Sequence, residues 1–186
     1  MKRSILLRHG VTEANRNHRY CGSTDLPLDE ETLAAFLRTG QVYPDPTGYR
    51  ILTSGMVRTE QTLQAVYGPV AHEAEPAFRE IDFGAFENKS YEELKDDPAY
   101  RAWLTGDNEK NVCPGGESGE QMARRVLAAW DALESDTLLV SHGGVIACIM
   151  AHLFPEEQKS RYDWQPKPFE GYRLELDGKP AYQKIP

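Results

Sequence analysis

Three short runs of consecutive apolar residues stand out along the chain. Ser4-Ile5-Leu6-Leu7, Tyr49-Arg50-Ile51-Leu52 and Thr137-Leu138-Leu139-Val140 are each followed within a few positions by a polar residue and a glycine. Runs of this length without polar alternation predict strands buried on both faces, as in a parallel sheet. Between them the apolar residues recur at spacings of three and four. Leu33, Phe36 and Leu37 follow Asp29, which can cap a helix, and Gly40 can end it. Residues 56–67 predict a second helix, stopped by Gly68-Pro69. Ser90 with Glu93 and Ser118 with Gln121 match the capping box, in which two side chains reciprocally satisfy the free amides of a helix entrance. The second box leads into Met122, Val126, Ala129, Trp130 and Leu133, one stripe for a sheet to cover. Val145, Ile146, Ile149, Met150, Leu153 and Phe154 form the apolar side of a further helix ending at Pro155. Residues 172–176 and 181–184, around Asp177-Gly178, read as a weaker terminal hairpin.

Strands alternating with helices predict an α/β fold: a three-layer α/β/α sandwich, with a mostly parallel central sheet and helices on both faces. No internal repeat or long polar linker interrupts the pattern. Residues 1–186 are therefore expected to form one domain, whose 40% hydrophobic composition supplies a core that needs no staples.

Charge narrows the ligand classes. A formal net charge of −8, with no Lys/Arg cluster against it, disfavours a nucleic-acid surface. An anionic ligand would need a local basic pocket. Ile5, Leu6 and Leu7 are too few before Arg8 for a signal-peptide core or a membrane span, so a cytoplasmic location away from membranes is expected. Cys21, Cys113 and Cys148 contain no Cys-x-x-Cys pair and suggest neither a disulfide framework nor structural zinc.

Open α/β sheets place ligands at the carboxyl ends of their strands. There the chain carries Arg8-His9-Gly10-Val11-Thr12, Thr53-Ser54-Gly55-Met56-Val57-Arg58 and Ser141-His142-Gly143-Gly144. If these strands are neighbours, two histidines and two arginines converge. A guanidinium fork matches phosphate oxygens, and glycines let the backbone approach a ligand, so the combination describes an oxyanion clamp. The glycine fingerprints of dinucleotide and nucleoside triphosphate sites are absent from the sequence. Alone, Arg8-His9-Gly10 fits a hydrogen-bonded histidine closing a strand better than a catalytic one. His9, His142 and Glu80 could also be written as two histidines and a carboxylate around iron. Arg8 and Arg58 argue for an anion instead, because fixed positive charges repel a cation in a crevice of low dielectric.

The motifs recur as an ordered set: Arg8-His9-Gly10-x-Thr12-x-x-Asn15, Tyr20-Cys21-Gly22 through Asp25-x-Pro27-Leu28, and Ser54-x-x-x-Arg58-x-x-Gln61-Thr62. Arg79-Glu80-x-x-Phe83-Gly84-x-Phe86-Glu87, Pro114-Gly115-Gly116-Glu117-Ser118 and Ser141-His142-Gly143-Gly144 follow. The set resembles the histidine phosphatase superfamily, also called phosphoglycerate mutase-like. The resemblance is closest to its small phosphatases, such as α-ribazole phosphatases and broad-specificity members. It implies a phosphomonoester phosphatase acting through a phosphohistidine on His9, with no metal and no cofactor. Arg8, Arg58 and a protonated His142 would hold the phosphoryl oxygens. Glu80 would protonate the leaving alkoxide and then activate water, with Asp82 as the fallback acid. Thr12, Asn15, Tyr20, Cys21, Gly22 and Gly143 would line the substrate side. The implied substrate is a small phosphorylated metabolite, α-ribazole phosphate or a broad range of esters, and the protein a monomer or homodimer.

The alternative is a mutase that returns the phosphoryl group from the same histidine to an isomeric acceptor. Residues 88–112 lack the Arg-Arg pair expected of an extra basic segment, which favours the phosphatase. Ala147 stands where relatives often carry arginine. His18, His72 and His152 receive no catalytic role. Tyr91, Tyr100 and Trp103 are expected in the core, with Trp103 also at the pocket mouth. Cys113 and Cys148 read as packing residues, and Cys21 as an oxidation-sensitive thiol beside the phosphate.

Overall fold

The three apolar runs become adjacent strands. The computed structural model describes residues 1–107 and 109–186. Its sheet contains β1 (Arg3–Arg8), β2 (Arg50–Thr53), β3 (Glu73–Ala74), β4 (Thr137–Ser141), β5 (Gly171–Glu175) and β6 (Ala181–Ile185), in the order β3-β2-β4-β1-β5-β6. Strands β3, β2, β4 and β1 run parallel; β5 pairs antiparallel with β1, and β6 with β5. The helices are α1 (Glu13–Arg16), α2 (Glu30–Arg38), α3 (Val57–Tyr67), α4 (Tyr91–Leu94), α5 (Pro98–Leu104), α6 (Gly119–Asp131), α7 (Gly143–Leu153) and α8 (Arg161–Trp164).

The two-residue period of the strands sorts their side chains into two cores. Leu6, Leu52 and Leu139 face Val126 and Trp130 of α6 and Val145 and Ile149 of α7. Ile5, Leu7, Leu138 and Val140 face the opposite way, toward Leu63 of α3 and Ile185 of β6. Register places Ile5 beside Leu138 and Leu7 beside Val140, so each run supplies both faces of a three-layer sandwich.

The helix ends follow their chemistry. Asp29 accepts from the Thr32 amide at 2.9 Å, and both the Ser90 and Ser118 capping boxes are closed. Gly68, at φ 73°, ends α3 in the left-handed region that glycine enters without strain. The terminal hairpin is better integrated than its sequence suggests, because β5 lies directly against central β1. Three features are not predicted: the exposed two-residue β3, which has no sequence pattern, and the single-turn helices α1 and α8, whose capping residues precede too short an apolar run to register.

A satellite cluster of Phe86, Leu94, Tyr100, Trp103 and Cys113 packs beside the main core. Tyr91 is a correction: it opens the single-turn α4 on the solvent side and is 57% exposed. Among the described residues, no helix is long and apolar enough to cross a membrane.

Candidate active site

Parallel register brings the first and third motifs together. Arg8 lies opposite Ser141, so His9 and His142 emerge side by side, their rings 5.1 Å apart between centroids. The second motif joins from β2, where Ser54 leaves the strand and Arg58 enters the first turn of α3. All four of His9, Ser54, Arg58 and His142 are buried.

Hydrogen bonds fix both histidine tautomers. His9 Nδ1 lies 2.6 Å from the Gly10 carbonyl, which can only accept, so Nδ1 carries the proton and Nε2 keeps its lone pair. Arg58 Nε donates to His142 Nδ1 at 3.3 Å, which leaves the His142 proton on Nε2, 2.8 Å from Ser54 Oγ. Burial, followed by the Arg58 and Arg8 charges, pushes the His9 pKa well below its ordinary value. Burial and Arg58 do the same to His142. The protonated His142 expected from sequence concerns the phosphate-bound state. In the ligand-free protein it is a neutral donor, because an imidazolium would be desolvated beside a guanidinium that needs its lone pair.

Arg8 is held by the segment before β5. Its Nη1 donates to the Pro166 carbonyl at 2.7 Å, its amide to Glu170 O at 3.0 Å, and its carbonyl accepts from the Phe169 amide at 3.2 Å. Arg8 Nε is buried without a partner among the described residues. Burial lowers the Arg8 pKa, and the Glu80 charge opposes that shift. Arg58 spends Nη1 and Nη2 on the Thr24 and Gly22 carbonyls, at 2.8 and 2.7 Å.

The expected substrate loop is shaped from behind. Glu87 accepts from the amides of Gly22, Ser23 and Thr24, the first two at 3.0 and 2.9 Å. A Cβ on Gly22 would stand 1.6 Å from the Ile81 carbonyl, so only glycine passes there. Thr12 and Asn15 close a capping box on α1, with Asn15 Oδ1 accepting from the Thr12 amide at 3.0 Å. The Tyr20 hydroxyl meets Tyr100 at 2.7 Å. The Cys21 thiol contacts the Thr24 carbonyl at 3.6 Å, and burial raises its pKa against the pull of Arg58, which disfavours a reactive thiolate. Thr62 and Gln61 support the loops by accepting from the amides of Gly10 and Leu28, at 2.9 and 2.7 Å.

Glu80 reaches the start of α7, where Oε2 accepts from the Gly144 amide at 2.9 Å and Oε1 from the Ile81 amide at 3.0 Å. A Cβ on Gly144 would fall 2.4 Å from Oε1, which explains the second glycine of the third motif. Gly143 is tight for another reason: its Cβ would meet the Gln165 side chain at 2.3 Å. Asp82 points elsewhere, accepting from Ser23 Oγ at 2.9 Å and the Gly84 amide at 2.8 Å. Arg125 of α6 grips the acid segment through the carbonyls of Ala77, Arg79 and Glu80 at 2.9, 2.7 and 3.0 Å, and pairs with Glu117. Gly84 and Gly116 nest against each other, each leaving no room for a Cβ.

Ser54, Glu87 and Arg125 thus serve the site without having been assigned roles from sequence. Ser54 and Glu87 lie inside recognised motifs, whereas Arg125 looked like one polar position of an amphipathic helix. Glu80 faces two cavities, of about 290 and 380 Å³. A larger cavity of about 560 Å³ beside α2 and α3 is lined by none of the clustered histidines and arginines. Among the described residues, no group of three or more His, Cys, Asp and Glu side chains is placed to hold a metal ion.

A family model described as "Histidine phosphatase superfamily (branch 1)" matches residues 4–182. The chain belongs to the histidine phosphatase superfamily. That membership makes the protein an enzyme of the phosphatase and mutase kind, acting on small phosphate esters. The "Probable phosphoglycerate mutase GpmB" of Yersinia pestis (strain Pestoides F) is 29% identical, over 100% of this chain and 97% of its own. The structure of a "putative alpha-ribazole-5'-P phosphatase" from Escherichia coli superposes with a TM-score of 0.86. It covers 99% of this chain and 95% of its own at 22% identity, a likeness of fold. A phosphoglycerate mutase from Thermus thermophilus superposes with a TM-score of 0.76 at 27% identity, over 99% of this chain and 98% of its own. Histidine phosphatase membership accounts for the shared fold, and the choice between hydrolysis and transfer rests on the site.

Proposed function

We propose that this protein is a metal-independent phosphomonoester phosphatase that works through a phosphohistidine at His9. The observation that carries the reading is the pair of buried histidines flanked by Arg8 and Arg58, with His9 Nε2 unprotonated and Arg8 Nε unpartnered. His9 Nε2 attacks phosphorus in line as the bond to the leaving oxygen breaks, and the Glu80 carboxyl gives that oxygen its proton. The guanidiniums offset the charge that spreads over the phosphoryl oxygens, supplying in fixed form what a cation would otherwise bring. His142 donates its Nε2–H to the phosphoryl group in place of Ser54. In the second half, the Glu80 carboxylate takes a proton from water, whose oxygen attacks phosphorus, and the P–N bond breaks to restore neutral His9.

A phosphate-labelled protein that is acid-labile and base-stable is expected from the wild type and absent from His9→Ala. Glu80→Gln is expected to slow turnover by about 10²- to 10⁴-fold, the usual worth of a positioned proton transfer. Labelling that persists in His9→Ala, or activity that EDTA abolishes and a metal restores, overturns the mechanism.

The full-length likeness to the Yersinia protein supports a second reading, phosphoglycerate mutation from the same phosphohistidine. Phosphate release should exceed interconversion of 3- and 2-phosphoglycerate, and the reverse ratio would select the mutase.

A further inference from the structure

The smaller of the two cavities beside Glu80 is walled by aromatic rings. Tyr20, Phe83 and Trp103 line it as a mutually packed trio, with centroids 4.9 Å apart for Tyr20 and Phe83 and 5.8 Å for Tyr20 and Trp103. Two of the rings are anchored: the Tyr20 hydroxyl is taken by Tyr100, and Trp103 Nε1 donates to the Asn111 carbonyl at 3.1 Å. Ala147, 1% exposed, contributes a methyl group to the wall, and Tyr162, 64% exposed, stands at the rim.

Arg161 is the only cation lining this cavity among the described residues, and it is already paired. Its Nε lies 2.8 Å from Glu109 Oε1. That carboxylate is seated, because Glu109 Oε2 occupies the space over Gly119 where a Cβ would come within 2.2 Å, and the Glu109 carbonyl accepts from the Glu120 amide at 2.9 Å. A carboxylate-bearing ester in this cavity would meet Glu80 and an Arg161 whose charge is already offset by Glu109, losing hydration for little gain. An uncharged planar group would meet aromatic faces and edges that suit it.

Building on the phosphatase reading above, we propose that the alcohol portion of the substrate is an uncharged aromatic or apolar group seated in this cavity. The Glu109–Arg161 pair enforces that choice by withholding the cavity's cation from carboxylated esters. The cavity of about 290 Å³ lies at the small end of the roughly 300–1,000 Å³ usual for small-molecule sites, which suits a single ring system.

The test compares kcat/KM for benzyl phosphate, glycerol 2-phosphate and 3-phosphoglycerate, all esters of alcohols, in wild type, Glu109→Gln and the Glu109→Gln/Arg161→Gln double variant. Wild type is expected to favour benzyl phosphate over 3-phosphoglycerate by about tenfold or more. Glu109→Gln is expected to raise the 3-phosphoglycerate to benzyl phosphate ratio about tenfold by freeing one charge-assisted donor, and the double variant to cancel the gain. Independently, Tyr162→Ala should lower the benzyl to glycerol phosphate ratio about threefold to tenfold. Equal use of all three esters, or an unchanged ratio in Glu109→Gln, overturns this proposal while leaving the phosphatase intact. Hydrolysis of none, with no phosphoenzyme formed, sinks the underlying reading as well.

Discussion

At the scale of single residues, burial decides the chemistry of the site. In the proposed mechanism His9 must be neutral to attack, and its desolvation beside two arginines favours the neutral form at pH values where an exposed imidazole would be charged. The acid limb of kcat/KM, which reports the free enzyme, is therefore expected below the usual histidine pKa of about 6.5. A profile that instead loses activity on falling through about pH 6.5 would show that His9 is hydrated in solution. The sequence made the proposed reacting residues legible, because glycines beside His9 and His142 at strand ends suggest close approach to a ligand. It could not show their protonation. The neutral state of His142 depends on a hydrogen bond from Arg58, 84 positions away, and on burial that only the assembled crevice supplies.

At the scale of elements, the acid segment is an irregular stretch made rigid by its neighbours. Residues 79–83 form no strand or helix, yet Arg125 collects two of the segment's carbonyls together with that of Ala77 just before it, and Glu117 receives the Asp82 amide at 3.1 Å. The Pro-Gly-Gly-Glu-Ser run thereby gains a physical meaning beyond its place at the entrance of α6: its glycine and glutamate hold the chain that presents Glu80. Arg125→Met is expected to lower kcat by about 10²-fold, since a displacement on the order of 1 Å can cost that much, with KM changed far less. Arg125→Lys, which cannot reach several carbonyls at once, should recover only part of the loss. Rapid-quench measurement of phosphoenzyme breakdown would check both. An unchanged kcat would mean that Glu80 is positioned without this grip. Capping boxes and apolar stripes were readable here because they are local, whereas the Arg125 contacts reach back 45 to 48 positions into a loop.

For the whole molecule, burying neutral histidines ties stability to pH. His9 and His142 have folded pKa values below their unfolded ones, so the unfolded chain binds more protons as pH falls under about 6.5. Their full contribution to stability is present above that pH and is lost on acidification, at up to about 1.4 kcal/mol per pH unit for each histidine. Urea midpoints measured at pH 7.5 and pH 5.5 should differ accordingly, and His142→Asn should narrow the gap. The architecture was legible because its three central strands are apolar on both faces, while β3, two exposed residues at the sheet edge, had no pattern to betray it. The grip of residues 166–170 on Arg8 spans 158 to 162 positions. A ribosome must therefore carry the chain well past Glu170 before that arginine acquires its supports. On the proposed mechanism a nascent chain can hold His9 long before it can hold phosphate, which delays the onset of activity until synthesis has passed the fifth strand.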